Sequence, residues 1–425
     1  MESARDAQDE VTPKSLSIAE ARRISFERNW DLLAAKANVD LATAQKIIAR
    51  EFPNPSLAWS TQKINLGPPA GTDTIAALNQ LIEIGGKRGI RQASANAGIE
   101  AARASLLDTK RLLDLGVGKA YVAVLLAEAN GRILNDTAKS LGKESNISGE
   151  RLKAGDMSES DKDQIETAAA RAELDAKAAD AAAVAARVAV EVLLGARNPK
   201  GVWEPSDSLE KLAGFNFAFD GKKDSATSMR PDLAAAEAAL RKAEQDLRLQ
   251  KATRIPDPTF LVQYEHQPPD QPQTVGIGIS IPLPIWNQNK GNIRAAEATR
   301  DQVATQIGKV QGQIAADIVT ALTAQRDALA RWKRYRDEVK PKSAKVLEIL
   351  TFSYKKGGVP LVALLQAARD DNQVRLATAQ AMSDSATAAA TLAAARNINI
   401  RDEPISEKPQ SPELKTQKQG HASSK

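Results

Sequence analysis

Apolar residues recur at Val303, Ile307, Val310, Ile314, Ile318, Leu322, Leu329, Trp332 and Val339, in steps of three, four and seven. Those steps trace one face of an α-helix, not the alternation of a strand. Several intervals run to eleven residues, Val303 to Ile314 and Ile318 to Leu329 among them. Such a repeat straightens a coiled coil or winds it slightly to the right. No glycine or proline falls between Gly312 and Pro341. A helix running from residue 291 to Gly357 and Gly358 is roughly 100 Å long. An element of that length lies in a bundle or tube with equally long neighbours. Residues 291–339 and their partner, 358–395, therefore organise the predicted fold, with a kink expected at Pro341.

The rest of the chain supplies the neighbours. After a polar, disordered segment over 1–15, Ser17 and Glu20 fit a helix start, and the helix runs to about Glu51, where Pro53-Asn54-Pro55 ends it. Residues 56–66 alternate as a strand. Gly67-Pro68-Pro69 makes a loop, and 74–84 reads as a second strand with a competing helical reading. Gly85-Gly86-Lys87-Arg88-Gly89 leads into a helix of more than fifty residues, looser around 142–155, and a second helix over about 160–194 returns antiparallel. Residues 195–229 lose all period; Trp203, Phe215, Phe217 and Phe219 mark an equatorial connector with an apolar cluster of its own. Then the pattern repeats: a helix from Pro231, a stop at Pro256-Asp257-Pro258, strands over 259–267 and 274–285 around a proline-rich loop, and the long helix. Asp232 follows Asp31 by 201 residues, Pro256 follows Pro53 by 203, and Tyr354-Lys355-Lys356-Gly357 answers Leu152-Lys153-Ala154-Gly155 at 202. The chain is a duplication, with repeats over 16–194 and 230–396 and a polar, disordered tail over 397–425.

Each repeat inserts one hairpin between helices too thin to cover it. In the second hairpin Val275, Ile277, Ile279, Ile281 and Leu283 alternate with glycine and serine; Phe260, Val262 and Tyr264 share one side of the preceding strand, as Leu57 and Trp59 do in the first hairpin. One apolar and one small, polar face is the pattern of a membrane β-barrel wall. Four strands cannot close a barrel around a pore, but three copies pool twelve. The alternative is a hairpin packed on a helix pair. The predicted class is mainly α with a small β part. Long antiparallel coiled-coil helices form a trimeric α-helical barrel, and four strands per chain form a 12-stranded transmembrane β-barrel.

Composition sharpens this picture. Aromatic residues are 4% of the 425, while alanine is abundant, so helices meet through small side chains as in coiled coils rather than around a bulky core. The net charge of +5 is modest and its signs are interspersed, which argues against a nucleic-acid partner. With no cysteine there is no disulfide, thiolate site or lipidated cysteine. No apolar run reaches the length of a transmembrane helix. The N-terminus shows no apolar signal core, so an export signal is expected upstream.

In order, spacing and duplication the chain resembles the outer membrane efflux, or TolC-like, family over about residues 16–395. The resemblance rests on residues 16–29, Pro53-Asn54-Pro55, LIEIGGKR over 81–88, Pro256-Asp257-Pro258, IPLPIWNQNKG over 281–291, and the turn 354–357. LIEIGGKR and IPLPIWNQNKG look most like the heavy-metal, CzcC-like branch that serves RND pumps. The resemblance implies a homotrimer in the outer membrane of a Gram-negative bacterium, with a periplasmic tunnel, a periplasmic adaptor, an inner-membrane RND pump and contact with outer-membrane lipid. It implies that the tip and adaptor contact involve Leu152, Lys153, Gly155, Asp156, Tyr354, Lys355, Gly357, Gly358 and Val359. At the entrance constriction, where many members carry acids, Ala363 and Gln366 stand here, with Asp161 nearest in the first repeat. Trp30 replaces a proline that the family favours.

No residue set points to catalysis or to a cofactor. Gly85–Gly89 lacks phosphate-loop spacing. His266 and His421 are the only histidines, and Glu265 faces away from His266, so no metal site is predicted. Glu159, Asp161, Asp163 and Asp370-Asp371 either attract cations at an entrance or form a solvated surface. The function expected is a passive exit duct for heavy-metal cations. The alternatives are a multidrug or type I secretion duct, or, from another class, a soluble coiled-coil scaffold.

Overall fold

The computed structural model of the chain describes residues 13–63, 71–214, 230–267 and 271–397. The polar segment over 1–12, the end of the first predicted strand, Gly67-Pro68-Pro69, Phe215, Phe217, Phe219, His421 and the tail from 398 lie outside those residues. The chain begins with a two-residue strand, β1 (Ser15–Leu16), and helix α1 (Ile18–Arg28). Ser17 caps α1 as predicted, its hydroxyl accepting the Glu20 N–H. The single helix expected to reach Glu51 is two. Asn29 leaves the helical conformation, its side-chain oxygen accepts the N–H groups of Asp31 and Leu32, and α2 (Trp30–Arg50) starts afresh. Trp30 occupies the first helical position, as Pro231 does in the second repeat. The Asn29 cap fixes the chain where proline's locked φ does so in the other copy.

Strands β2 (Ser56–Lys63) and β3 (Thr72–Leu81) form the first hairpin. The strand reading of the second segment holds, although it ends before residue 84. Gly85 and Gly86, both at φ 72°, turn the chain into α3 (Lys87–Lys153), a helix of 67 residues. The looseness expected around 142–155 is absent to Lys153. Gly142 and Gly149 each cost about 1 kcal/mol inside a helix, less than interrupting a helix packed along its whole length. Helix α4 (Glu159–Leu193) returns along α3 through a row of buried alanines, Ala168, Ala172, Ala176, Ala179 and Ala183. The connector holds β4 (Glu204–Pro205) and α5 (Leu209–Ala213). Strand β4 pairs in parallel with β1, Ser15 opposite Glu204. Ser15 is therefore in a sheet rather than in the disordered segment assigned to 1–15. Among the described residues of the connector, Trp203, Leu209 and Leu212 join Leu16, Ile24, Val117 and Tyr121 in the main cluster.

The second repeat runs through α6 (Pro231–Ala252), β5 (Thr259–Gln267), β6 (Gln271–Ser280), α7 (Lys290–Arg334), one π-helical turn (Tyr335–Val339), α8 (Lys340–Lys355) and α9 (Leu361–Ala395). Two expectations are corrected here. Strand β6 begins at Gln271, so the proline-rich loop is shorter than expected. It also stops at Ser280, because Pro282 and Pro284 have no N–H to give a ladder. The irregularity assigned to Pro341 lies just before it. The Lys340 N–H bonds to the Tyr335 carbonyl, five residues back, and the widened turn relieves the clash a proline makes with the preceding turn.

The hub of the packing is α3 rather than α7. Helix α3 touches α1, α2, α4, α6 and α9, whereas α7 buries only Ile314, Ala321, Gln325, Ala328 and Trp332. The main core surrounds the middle of α3, where Tyr121 and Trp203 stack at 6.1 Å between ring centroids. The fully buried Tyr121 hydroxyl lies 2.8 Å from the Leu16 carbonyl and 3.1 Å from Asp207 Oδ2, and it accepts the Asp207 N–H. Burial, and then the Asp207 carboxylate, push its pKa above the usual phenol value, so it remains a donor at physiological pH. Tyr121→Phe is expected to destabilise the protein by about 1–3 kcal/mol, because the buried carbonyl of Leu16 loses its side-chain donor. Thermal unfolding of the purified protein in detergent measures this.

Candidate functional site

The two hairpins form one antiparallel sheet in the order β2-β3-β5-β6, joined through β3 and β5. Register decides what each face carries. Leu57 lies opposite Leu78, Leu78 opposite Val262, and Val262 opposite Ile277. Trp59, Ala76, Tyr264 and Val275 form the neighbouring row, and Phe260 pairs with Ile279. Side chains directly opposite share a face, so every predicted apolar strand residue within the strands lies on one side. That side is bare in the chain: Leu57 is 75% exposed, Val275 73% and Ile277 87%. The other face holds Ala58, Ser60, Gln62, Asp73, Gln263, Glu265, Gly276 and Gly278. The sequence reading assigned Ile281 and Leu283 to these strands. Both fall beyond β6, as exposed residues of the proline-broken segment.

A knot of polar contacts ties the sheet to the helices. Lys87, only 6% exposed, places its ammonium 2.8 Å from Asp257 Oδ1 and donates to the Ile255 carbonyl at 2.6 Å. Asp257 Oδ1 also accepts the Ile84 N–H at 2.9 Å, and the Ile82 N–H donates to Pro258. Arg91 pairs with Glu83 through both nitrogens, and this contact raises its already high pKa. Arg88 donates to the Arg50 carbonyl and lies 3.8 Å over the Phe52 ring. Lys87 thus braces the first repeat against the second, and Arg88 braces the elbow within the first. Sequence reasoning missed this role for Lys87 and Asp257. The available signal was that the Pro256-Asp257-Pro258 helix stop and the glycine elbow recur at one spacing.

At the opposite end of the helices the two turns match. Gly155 (φ 80°) and Gly357 (φ 75°) are both left-handed. The Asp156 N–H bonds to the Arg151 carbonyl and Gly155 N–H to Leu152; Gly358 N–H bonds to Ser353 and Gly357 N–H to Tyr354. These paired bonds close both helix ends in the glycine-capped manner. Lys153, Asp156, Lys355, Gly357 and Gly358 are exposed, while Leu152, Tyr354 and Val359 are half-buried. The tips are held together by Ile165, Leu361 and Leu365, with Met157 and Tyr354 packed against them. Gly155→Val and Gly357→Val each force a β-branched residue into left-handed backbone, at a cost of about 1–2 kcal/mol. Faster amide exchange at 155–156 or 357–358 checks the loss of each cap, with Gly→Asn expected to give a smaller change.

Gln366 lines a groove between α4 and α9 with Glu159, Asp163 and Arg369, and it donates to Asp370. Asp161 and Ala363 do not line that groove. Asp161 sits in the first turn of α4, where its N–H is capped by Ser158. Asp371 is 3% exposed and bonded to Ser343 and Arg375. Sequence reasoning also missed Arg230, which is buried. It pairs with Asp232 and Asp317 and donates to the Ala395 carbonyl, closing the end of α9. Burial pushes the Asp232 carboxyl up, but the Arg230 guanidinium carries it below its ordinary value.

Among the described residues no three His, Cys, Asp or Glu side chains gather as a metal site, and no helix is long and apolar enough to cross a membrane. His266 lies on the apolar side of β5, with Glu265 on the other, as the alternation predicted.

The sequence profile described as "Outer membrane efflux protein" matches twice, over residues 23–196 and 224–397, one copy on each repeat. The cobalt-zinc-cadmium resistance protein CzcC of Cupriavidus metallidurans is 24% identical over 377 residues, covering 89% of each chain. A membrane protein from Pseudomonas aeruginosa shares the fold at a TM-score of 0.78 and 18% identity, over 89% of this chain and 93% of that one. The Campylobacter jejuni CmeC outer membrane channel does so at 0.77 and 16%, over 89% and 85%. The profile matches both repeats, and the solved structures share the fold over 89% of the chain: this chain belongs to the outer membrane efflux protein family, whose members are channels and not enzymes.

Proposed function

We propose that three copies of this chain form a passive exit duct for heavy-metal cations across the outer membrane, fed by a periplasmic adaptor and an inner-membrane RND pump. The observation that carries this reading is the sheet, with rows of exposed apolar side chains across the middle of one face, and with most of its polar and glycine positions, alongside Ile75 and Leu261, on the other. Its outer strands, β2 and β6, each have one edge without a partner strand among the described residues. Exposed strand edges pair with other strands, and three such sheets joined edge to edge make a wall of twelve strands. The apolar rows then face lipid, and the polar rows face water. The matched turns at Gly155 and Gly357 lie at the far end of the helices, where the exposed Lys153, Asp156 and Lys355 offer contacts to an adaptor. The narrowing near Asp161, Ala363 and Gln366 then lacks a ring of carboxylates in the second repeat. The similarity to CzcC supports metal cations as cargo. Selection of the metal falls to the pump or the adaptor, since a wide duct need not coordinate what passes through it.

Fractionation of the native host, followed by sizing in mild detergent, tests the assembly. Outer-membrane material at three times 45.5 kDa plus detergent is expected; a soluble monomer would refute the duct. Deletion of the gene is expected to sensitise the host to cobalt, zinc, cadmium or copper ions. Sensitivity to organic toxins alone would reassign the cargo.

A further inference from the structure

The polar face of the sheet has an uneven distribution of charge. By register it carries two ionisable residues among the described positions, Asp73 on β3 and Glu265 on β5, and no basic one. Both lie at the end of the sheet away from the helices. Asp73 is the second residue of β3, opposite Gln62, and Glu265 is opposite Ile75 and Thr274. They sit one strand apart and two positions along. A register shift in the β5–β6 pairing follows at once, between Glu265 and Gln267. Such irregularities re-aim side chains at barrel rims.

Asp73 supplies the second observation. It is 4% exposed, and its Oδ2 accepts from the Gln62 amide at 3.3 Å, yet its Oδ1 has no hydrogen-bond partner. A buried carboxylate oxygen so placed has an unfilled demand for a donor or a cation. Deeper along the same face Gln263 lies opposite Gly276 and Leu261 opposite Gly278, and the Gln263 amide donates to Glu265 Oε2 at 3.3 Å, leaving the face without a cation to balance either carboxylate.

We propose that Asp73 and Glu265 form an acidic collar at the outer end of the barrel lumen, which makes the duct prefer cations. The inference rests on the trimeric barrel proposed above, in which threefold symmetry repeats each carboxylate three times around one opening. Six like charges around one water-filled lumen hold a local excess of counter-ions, as rings of acidic side chains do in cation channels. The collar needs no coordination geometry and therefore discriminates by charge, not by metal. It also places the preference at the exit rather than at the tips, where Glu159 and Asp163 stand beside Arg369.

The test is a reversal-potential measurement on the purified full-length protein in planar bilayers, under a KCl gradient. The wild type is expected to favour potassium over chloride. Glu265→Gln and Asp73→Asn keep the side-chain shapes, and together they should lower the permeability ratio by at least about threefold. Gln263→Glu, which adds a carboxylate to the same face, should raise it. Ratios unchanged in Glu265→Gln and in Gln263→Glu overturn the collar, even if Asp73→Asn fails to assemble. So does a ratio that responds only to Glu159→Gln and Asp163→Asn at the tips. A wild-type protein that forms no conducting steps overturns the barrel reading itself, and the collar with it.

Discussion

Val262→Arg is expected to empty the outer membrane of assembled protein, while Gln263→Arg, one residue further along the same strand, leaves it in place. Both residues lie near the middle of β5, which spans Thr259–Gln267. Val262 sits in the apolar row between Leu78 and Ile277, and Gln263 faces Ala77 and Gly276 on the small, polar side. In a barrel, Val262 meets hydrocarbon. An arginine at the bilayer midplane costs about 2–4 kcal/mol per copy. With three copies per barrel the total is about 6–12 kcal/mol, comparable to the whole stability of an ordinary domain. Arginine at 263 meets water and lies two residues from Glu265. Quantifying trimers in outer-membrane fractions of the two variants distinguishes these outcomes. Equal losses would mean that both faces are buried against protein, which is what the alternative of hairpins packed on a helix pair requires. Equal tolerance would mean that neither face meets lipid.

The contrast between Val262 and Gln263 was legible in the sequence because strand alternation has a period of two and is read without knowing what lies beside the strand. The same holds for the tips: a glycine at each, 202 residues apart, needs only local backbone chemistry to become a left-handed cap. What the sequence hid was set by partners distant along the chain. Trp203 read as part of an aperiodic connector, yet its ring stacks on Tyr121 in the main core. Asn29 sat inside an apolar pattern that continued on both sides, so the break between α1 and α2 was invisible until its side chain was seen capping Asp31 and Leu32. Ile281 and Leu283 continued the alternation of β6, and the pattern outweighed the prolines beside them. The reverse error came from Gly142 and Gly149, where local propensity gave way to a packed helix. Asp161, Ala363 and Gln366 were assigned by resemblance, from their positions past the tip glycines. Spacing along one helix cannot say which side chains share a groove with another.

The second large effect is expected at the elbow between sheet and helices. Asp257→Ala should destabilise the protein by about 3–5 kcal/mol, the cost of leaving a buried ion partner uncompensated. It removes the acceptor of two donors at once, the Lys87 ammonium and the Ile84 N–H. Lys87→Met should cost less, because Asp257 keeps the Ile84 N–H and is the more exposed partner, its side chain 19% accessible against 7% for Lys87. Combining Lys87→Met with Asp257→Asn removes both charges and leaves an amide oxygen to accept from Ile84. The double variant is therefore expected to be more stable than the sum of the single losses predicts, by about 1–3 kcal/mol of coupling. Thermal midpoints in detergent for the wild type, Lys87→Met, Asp257→Asn and the double variant close the cycle, the single losses being those of Lys87→Met and Asp257→Asn. Strict additivity would show that the contact is incidental. Coupling would show that one ion pair holds the first repeat's glycine elbow against the second repeat's Pro256-Asp257-Pro258 turn. The sheet is reached from each helical repeat through these elbows, so a weakened elbow should lower the yield of assembled protein even where every strand residue is intact.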